Sequence, residues 1–203
     1  MRYKQYDQKT LDELHQIELE ILTDFDKLCQ ENNLTYFLTG GTMLGAVRHK
    51  GFIPWDDDID VGMPRKDYDK FIEIAPKILG EKYLLDCFEY NKKYYLPFAK
   101  IKKNNTIFDE GFYPDGFMHK GIYIDIIPFE NVDEINFDLR LRAVMVRNIV
   151  DTMFYKNGFR KLKKTRRPWL VLLFSIFTKK RLMKIQKYFM TKNKNHDSKY
   201  INA

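Results

Sequence analysis

Apolar residues recur along the first third of the chain with helical spacing. Leu11, Leu14, Ile17, Ile21, Phe25 and Leu28 stand three or four apart, which predicts an amphipathic helix over residues 10–31. "LTYFLTGG" then reads as a short buried strand that ends in a glycine turn. Residues 42–49 follow as one or two helical turns, with Thr42 near their start. "KGFIPW" is predicted to be a loop, because Pro54 pushes Ile53 out of the helical region. "DIDVGM" reads as a short strand and "RKDYDKFIEIAPKIL" as an amphipathic helix, ended or kinked near Pro76. Three more strands are predicted in "KYLLDCFEY", "YYLPFAKIKK" and "GIYIDIIPFE". From about Glu134 the pattern changes to long, basic helices. The order predicts an α+β fold, a small mixed sheet flanked by helices.

The hydrophobic fraction of 44% and aromatic fraction of 15% exclude a disordered chain. Two cysteines, Cys29 and Cys87, make no disulfide framework and point to a reducing compartment. The first residues carry no apolar stretch of the kind a secretory leader needs, so a cytoplasmic protein is expected. The net charge of +7 hides a split. Residues 1–136 hold 17 Lys and Arg against 25 Asp and Glu, whereas residues 137–203 hold 18 against 3. This divides the chain into a catalytic core, 1–136, and a basic helical region, 137–203, suited to an anionic surface.

The chemistry gathers in "GGTMLGAVRHKGFIPWDDDIDVGMPR". Side chains alternate along a strand, so Asp58 and Asp60 share a face about 6.5–7 Å apart. Two carboxylates so placed can reach one divalent ion, with Mg²⁺ (or Mn²⁺) the choice for oxygen ligands near phosphates. Asp56 and Asp57 cap the loop or stand behind these ligands. Asp125 lies in an otherwise apolar strand, with Ile122, Ile124 and Ile126 on the opposite face. A buried carboxylate needs a counter-charge, and either a metal or a buried lysine would supply it. Gly40 and Gly41, closing a strand and opening a helix, allow an anion to approach free N–H groups. Arg48, His49 and Lys50 are candidates for phosphate oxygens. Lys100 emerges between Leu96 and Phe98 as a candidate pyrophosphate contact. His119 is a weaker catalytic candidate.

This set of motifs resembles the LicD family of phosphocholine transferases, which includes the fukutin-like proteins. The resemblance rests on "LTGGTMLGAVRHKGFIPWDDDIDVGMPRKDY", "FAKIKKNNT" and "GIYIDIIPFE", in that order, and spans residues 10–130. It implies a nucleotidyltransferase-like fold, with Gly40, Gly41, Asp58, Asp60 and Asp125 on the family's site positions. The metal and catalytic residues implied are Asp58, Asp60 and Asp125; of these Asp125, the one expected to be most buried, is assigned the proton of the attacking hydroxyl. Gly40, Gly41, Thr42, Arg48, His49, Trp55 and Lys100 are expected to bind substrate. The implied reaction moves a substituted phosphate, most often phosphocholine, from a CDP-linked donor to a sugar hydroxyl. The acceptor would be a cell-surface glycan precursor of teichoic acid or lipopolysaccharide type, carried on a lipid. A choline group would call for aromatic faces, and Trp55, Tyr94, Tyr95, Tyr113 and Phe117 are available, Trp55 foremost. Two departures stand out. Lys103 occupies a position where similar proteins often have an acid, and the chain ends at "SKYINA", earlier than such proteins usually run.

Three other readings remain open at this level: transfer of another alcohol phosphate such as ribitol phosphate, transfer of a whole nucleotide, or an idle nucleotide- or glycan-binding subunit. In the basic region, Pro168 to Thr178 is an apolar run too short for a bilayer, which needs about 20 residues. It suits either the interface of an anionic membrane or the core of a helical subdomain. No nucleic-acid-binding module is recognisable, and no nucleic-acid partner is expected.

Overall fold

A computed structural model describes residues 6–91, 93–108, 119–132, 134, 136–158, 165–192, 198 and 200–202. The expected mixed sheet of an α+β fold is present. Helix α1 (Gln8–Glu31) starts at Asp7, whose side chain accepts a hydrogen bond from the Thr10 N–H at 2.9 Å. Strand β1 (Phe37–Leu38) leads into α2 (Gly40–His49), a full helix that begins at the first glycine, two residues earlier than expected. Strand β2 (Asp60–Pro64) and helix α3 (Arg65–Ile78) follow. Pro76 lies in the last turn of α3, where it cannot supply the i→i−4 hydrogen bond of that turn, and the helix ends two residues later. Strands β3 (Tyr83–Asp86), β4 (Ala99–Lys103) and β5 (Tyr123–Val132) complete the main sheet, in the order β1-β2-β5-β4-β3.

The described residues form two compact units. The first takes in residues 6–86, 98–108 and 119–128. Its core is Leu11, Leu14, Ile21, Phe25 and Leu28 of α1, Phe71, Ile72 and Ala75 of α3, and Ile101, Ile124 and Ile126 of the sheet. The spacing argument therefore holds for α1 with one exchange. Ile17 is only half-buried, and the slot between Leu14 and Ile21 belongs to Glu18, which is 2% exposed.

The second unit takes in residues 87–97 and the described residues from Phe129 onward. It contains α4 (Phe137–Lys156), α5 (Pro168–Ser175), α6 (Lys179–Thr191) and a short strand β6 (Tyr200–Asn202), which pairs antiparallel with the end of β5. Its core joins Tyr94 and Tyr95 to Ile149, Met153, Phe174, Leu182 and Met183. The strand expected from residue 94 thus begins only at Ala99. Pro97 cannot donate to a ladder, and the two tyrosines ahead of it are drawn into this helical core. Among the described residues no helix is long and apolar enough to cross a membrane.

Candidate active site

The candidate site lies in the first unit, where the ends of β1, β2 and β5 meet the start of α2. The Asp125 N–H donates to Ile59 O at 2.8 Å, which sets β5 beside the segment that enters β2. The Asp60 N–H donates to Thr42 Oγ1 at 2.8 Å, and the Thr39 N–H to Asp60 O at 3.2 Å. Thr42 therefore ties the first turn of α2 to the acidic strand.

The two glycines make room for carboxylates. Gly40 has φ +56°, a conformation that side chains rarely adopt, and a Cβ there would stand 3.0 Å from Asp60 Oδ2. A Cβ on Gly41 would come within 2.5 Å of Asp56 Oδ2. The positive end of the α2 dipole thus faces acids of this same chain. Asp56 is also held through its backbone. His15 Nε2 lies 2.7 Å from Asp56 O, and the His15 ring stacks on Phe52 with centroids 3.9 Å apart.

Negative charge is concentrated here beyond what water screens. Strand β2 starts only at Asp60, so Asp58 lies two residues ahead of it, outside the strand expected to set Asp58 and Asp60 on one face. Burial, then Asp60, Asp56, Asp125 and Asp57, pushes its carboxyl up to about 7. Asp60 is also raised, chiefly by burial, while the Lys100 ammonium pulls it back down. Asp56 is raised by burial and by Asp57. One oxygen each of Asp56, Asp57 and Asp58 lies within 4.8 Å of the others.

Sequence reasoning missed Glu18. Burial, then Asp58, Asp57, Asp56 and Asp125, raises it to about 9. Its Oε2 is fully buried with no hydrogen-bond partner among the described residues. The signal was available: a carboxylate at the 18 position of the 11-14-21-25-28 stripe is as conspicuous as Asp125 in its strand. His15 had no such signal, since its role depends on a loop 41 residues away.

Lys100 has different company from that expected. Directly opposite Asp125 in the β4–β5 ladder, it places Nζ 2.9 Å from Asp125 Oδ1 and 3.3 Å from the centre of the Tyr123 ring. At 3% exposed, it is a buried partner of Asp125. Of the two counter-charges expected for Asp125, the structure shows the buried lysine. Lys102, on the same face, pairs with buried Asp86 at 2.8 Å. Lys103 points the other way, to Glu20 of α1 at 2.5 Å, so its departure from the family pattern falls outside this cluster.

The other candidates divide. Arg48 and His49 sit in the last turn of α2, exposed, about 12 Å along the axis from Gly40. The glycine turn and these cations are therefore at opposite ends of one helix. Trp55, 76% exposed, stands in the loop beside the acids. Tyr94 and Tyr95 are fully buried core residues of the second unit, which removes them as choline-facing groups. Tyr113 and Phe117 lie outside the described residues. His119 Nδ1 accepts from the Gly121 N–H at 3.0 Å, and its carbonyl accepts from Lys102, a structural role at a strand entry.

Crowded, partly buried oxygen donors of one sign, with a further orphaned carboxylate oxygen behind them, fit a divalent cation well. The carboxylates whose oxygens come within 4.8 Å of one another are Asp56, Asp57 and Asp58 rather than the expected Asp58, Asp60 and Asp125, and all of these are hard oxygen donors.

Comparison with known proteins covers the same stretch of chain. Residues 33–140 match the family model described as LicD/FKTN/FKRP, nucleotidyltransferase domain. The chain is 46% identical over 80 residues to the lipopolysaccharide cholinephosphotransferase LicD of Haemophilus influenzae, across 39% of this chain and 30% of that protein. It is 33% identical over 116 residues to an uncharacterized protein of Rickettsia typhi, across 50% of this chain and 35% of the other. It is also 32% identical over 95 residues to the ribitol 5-phosphate transferase FKRP of Mus musculus, covering 44% and 19%. The matched stretches thus take in about a third or less of these relatives' own lengths. With more than half of its residues inside the family match, and the glycine turn and acidic strand within it, the chain belongs to the LicD/FKTN/FKRP family through its nucleotidyltransferase domain.

Proposed function

We propose that this protein transfers a substituted phosphate, phosphocholine in the first instance, from a CDP-linked donor to a sugar hydroxyl of a glycan precursor. The observation that supports this reading is the crowding of carboxylates near the start of α2: one oxygen each of Asp56, Asp57 and Asp58 lies within 4.8 Å of the others, and Asp60 and Asp125 are near enough to raise Asp58 further. Carboxylates this crowded are poorly suited to hold a diphosphate by themselves. Asp58, Asp60 and Asp125 would hold Mg²⁺ or Mn²⁺, which when bound neutralises charge on the diphosphate. The chain's own groups supply alignment, the main requirement of phosphoryl-type transfer. Thr42 and the two glycines fix Asp60 and Asp56, and His15 fixes the loop before them. Lys100 holds Asp125, which we assign to receive the proton of the attacking hydroxyl. Trp55 offers an exposed aromatic face for a quaternary ammonium.

The names of the relatives favour two donors. The Haemophilus influenzae protein is named for choline phosphate and lipopolysaccharide, and the mouse protein for ribitol 5-phosphate. CDP-choline and a CDP-linked polyol are therefore the first two to try, with a lipid-linked glycan as the acceptor class. A nucleotide donor and two buried free cysteines, Cys29 and Cys87, suit a reducing cytoplasmic setting.

The test is incubation of the purified protein with Mg²⁺, an acceptor glycolipid and a panel of CDP-alcohols, reading CMP release. Transfer from one CDP-alcohol, lost in Asp58→Asn and Asp60→Asn, is the expected result. Release of pyrophosphate from a nucleoside triphosphate would identify a nucleotidyltransferase. Binding of CDP compounds with no turnover would identify an idle subunit.

A further inference from the structure

Helix α5 is apolar on both sides. Leu170, Val171 and Phe174 are buried in the second unit, where Phe174 joins the Tyr94–Met153 core. The opposite side consists of Trp169, Leu172, Leu173 and Ile176, which are 64%, 48%, 51% and 78% exposed. Their spacing of three, one and three residues puts them in one stripe along the helix. Four large apolar side chains grouped on one face are a surface awaiting a partner, since scattered single ones would be unremarkable.

The surrounding charge is of one sign. Residues 152–196 contain 14 Lys and Arg and no Asp or Glu. Arg166 and Arg167 precede the stripe, and Lys179, Lys180, Arg181 and Lys184 follow it on α6. None of these six forms an ion pair among the described residues. A protein partner would be expected to meet this surface with acidic groups around an apolar patch. A bilayer of anionic lipid offers both components in one surface, phosphates at headgroup depth and acyl chains beneath. Tryptophan at the edge of the stripe also suits that boundary. The helix is eight residues long, enough to lie in the interface and too short to cross it.

We propose that α5 is a membrane-docking element, with Trp169, Leu172, Leu173 and Ile176 entering the interfacial layer of an anionic bilayer and the flanking Arg and Lys residues holding lipid phosphates. This does not depend on the transferase reading, and it would bring any lipid-carried substrate onto the same two-dimensional surface as the protein.

The experiment uses the full chain and vesicles of phosphatidylcholine with and without phosphatidylglycerol. Trp55 and Trp169 are the two tryptophans, so Trp55→Phe leaves Trp169 as the sole reporter. The expected result is co-sedimentation with anionic vesicles, weakened by salt, with a blue shift of the Trp169 emission. Leu172→Ser/Leu173→Ser, on exposed positions that leave the core intact, should lower partitioning about tenfold without changing the circular dichroism. Arg167→Glu/Lys180→Glu should lower it by a similar factor. Absence of sedimentation would overturn the proposal. So would binding insensitive to the leucine changes, which would mark simple polyanion adhesion, shared with RNA. A dimer dissolved by Leu172→Ser/Leu173→Ser would overturn it too, by showing the stripe to be a self-association face.

Discussion

Glu18→Gln should stabilise the cation-free protein, by an amount that grows as pH rises above 4.5. The change is nearly isosteric and removes one ionisable group from a site 2% exposed. In the fold the carboxyl is raised from 4.5 to about 9, first by burial and then by Asp58, Asp57, Asp56 and Asp125. Between those two values the folded state keeps a proton that the unfolded chain has lost. Stability therefore falls as pH rises through this window, with no penalty below 4.5 and the full penalty above about 9. At pH 8 the interval amounts to about 3.5 units, a limit of about 5 kcal/mol at about 1.4 kcal/mol per unit. Relaxation and water entry return part of this, so the expected gain is about 2–3 kcal/mol at pH 8 and near zero at pH 4.5. For a chain of this size that is a rise of roughly 4–12 °C in melting temperature. Thermal melts of both proteins in EDTA, at pH 4.5, 6.5 and 8, give the result directly. An equal difference at every pH would refute the electrostatic reasoning. A loss of stability at pH 8 would show that Glu18 is charged and paired in the fold.

Asp58→Asn and Asp60→Asn should each abolish CMP release while leaving the far-ultraviolet circular dichroism unchanged; near-normal turnover in either would contradict their assignment. Gly41→Ala puts a Cβ 2.5 Å from Asp56 Oδ2, so Asp56 must turn away, and divalent-cation affinity should fall roughly tenfold with little change in melting temperature. Lys100→Met removes the ammonium 2.9 Å from Asp125 and should destabilise the protein by about 3–5 kcal/mol in urea titrations. Lys100→Met/Asp125→Asn should recover most of that, and a double variant as unstable as the single would deny the pairing.

The parts of the fold that could be read from sequence were those in which one local pattern dominates. The α1 stripe, the Pro54 loop, the existence of a strand after the aspartates (expected from Asp58, observed from Asp60) and the isoleucine face of β5 each follow from spacing or from a single residue's restriction. What could not be read depended on neighbours far away in sequence. Tyr94 and Tyr95 look like strand residues until the helices after residue 137 draw them into a separate core. Lys100 looks like a solvent-directed cation until the β4–β5 register sets it opposite Asp125. Gly40 and Gly41 suggested a cradle for an outside anion, whereas the nearest anions are Asp60 and Asp56. Arg48 and His49 are close to the glycines in sequence and a helix length away in space. In α5, one apolar run sends Leu170, Val171 and Phe174 into the core and leaves Trp169, Leu172, Leu173 and Ile176 exposed, a division that depends on the packing of the other helices.

Titration of Mn²⁺ into the protein, followed by loss of the free-ion electron paramagnetic resonance signal, tests the central claim most directly. Saturable binding that disappears in Asp58→Asn and in Asp60→Asn, with Mg²⁺ competing, is the result this account predicts. Mn²⁺ binding that is absent from the wild-type protein, or unchanged in both variants, would contradict it.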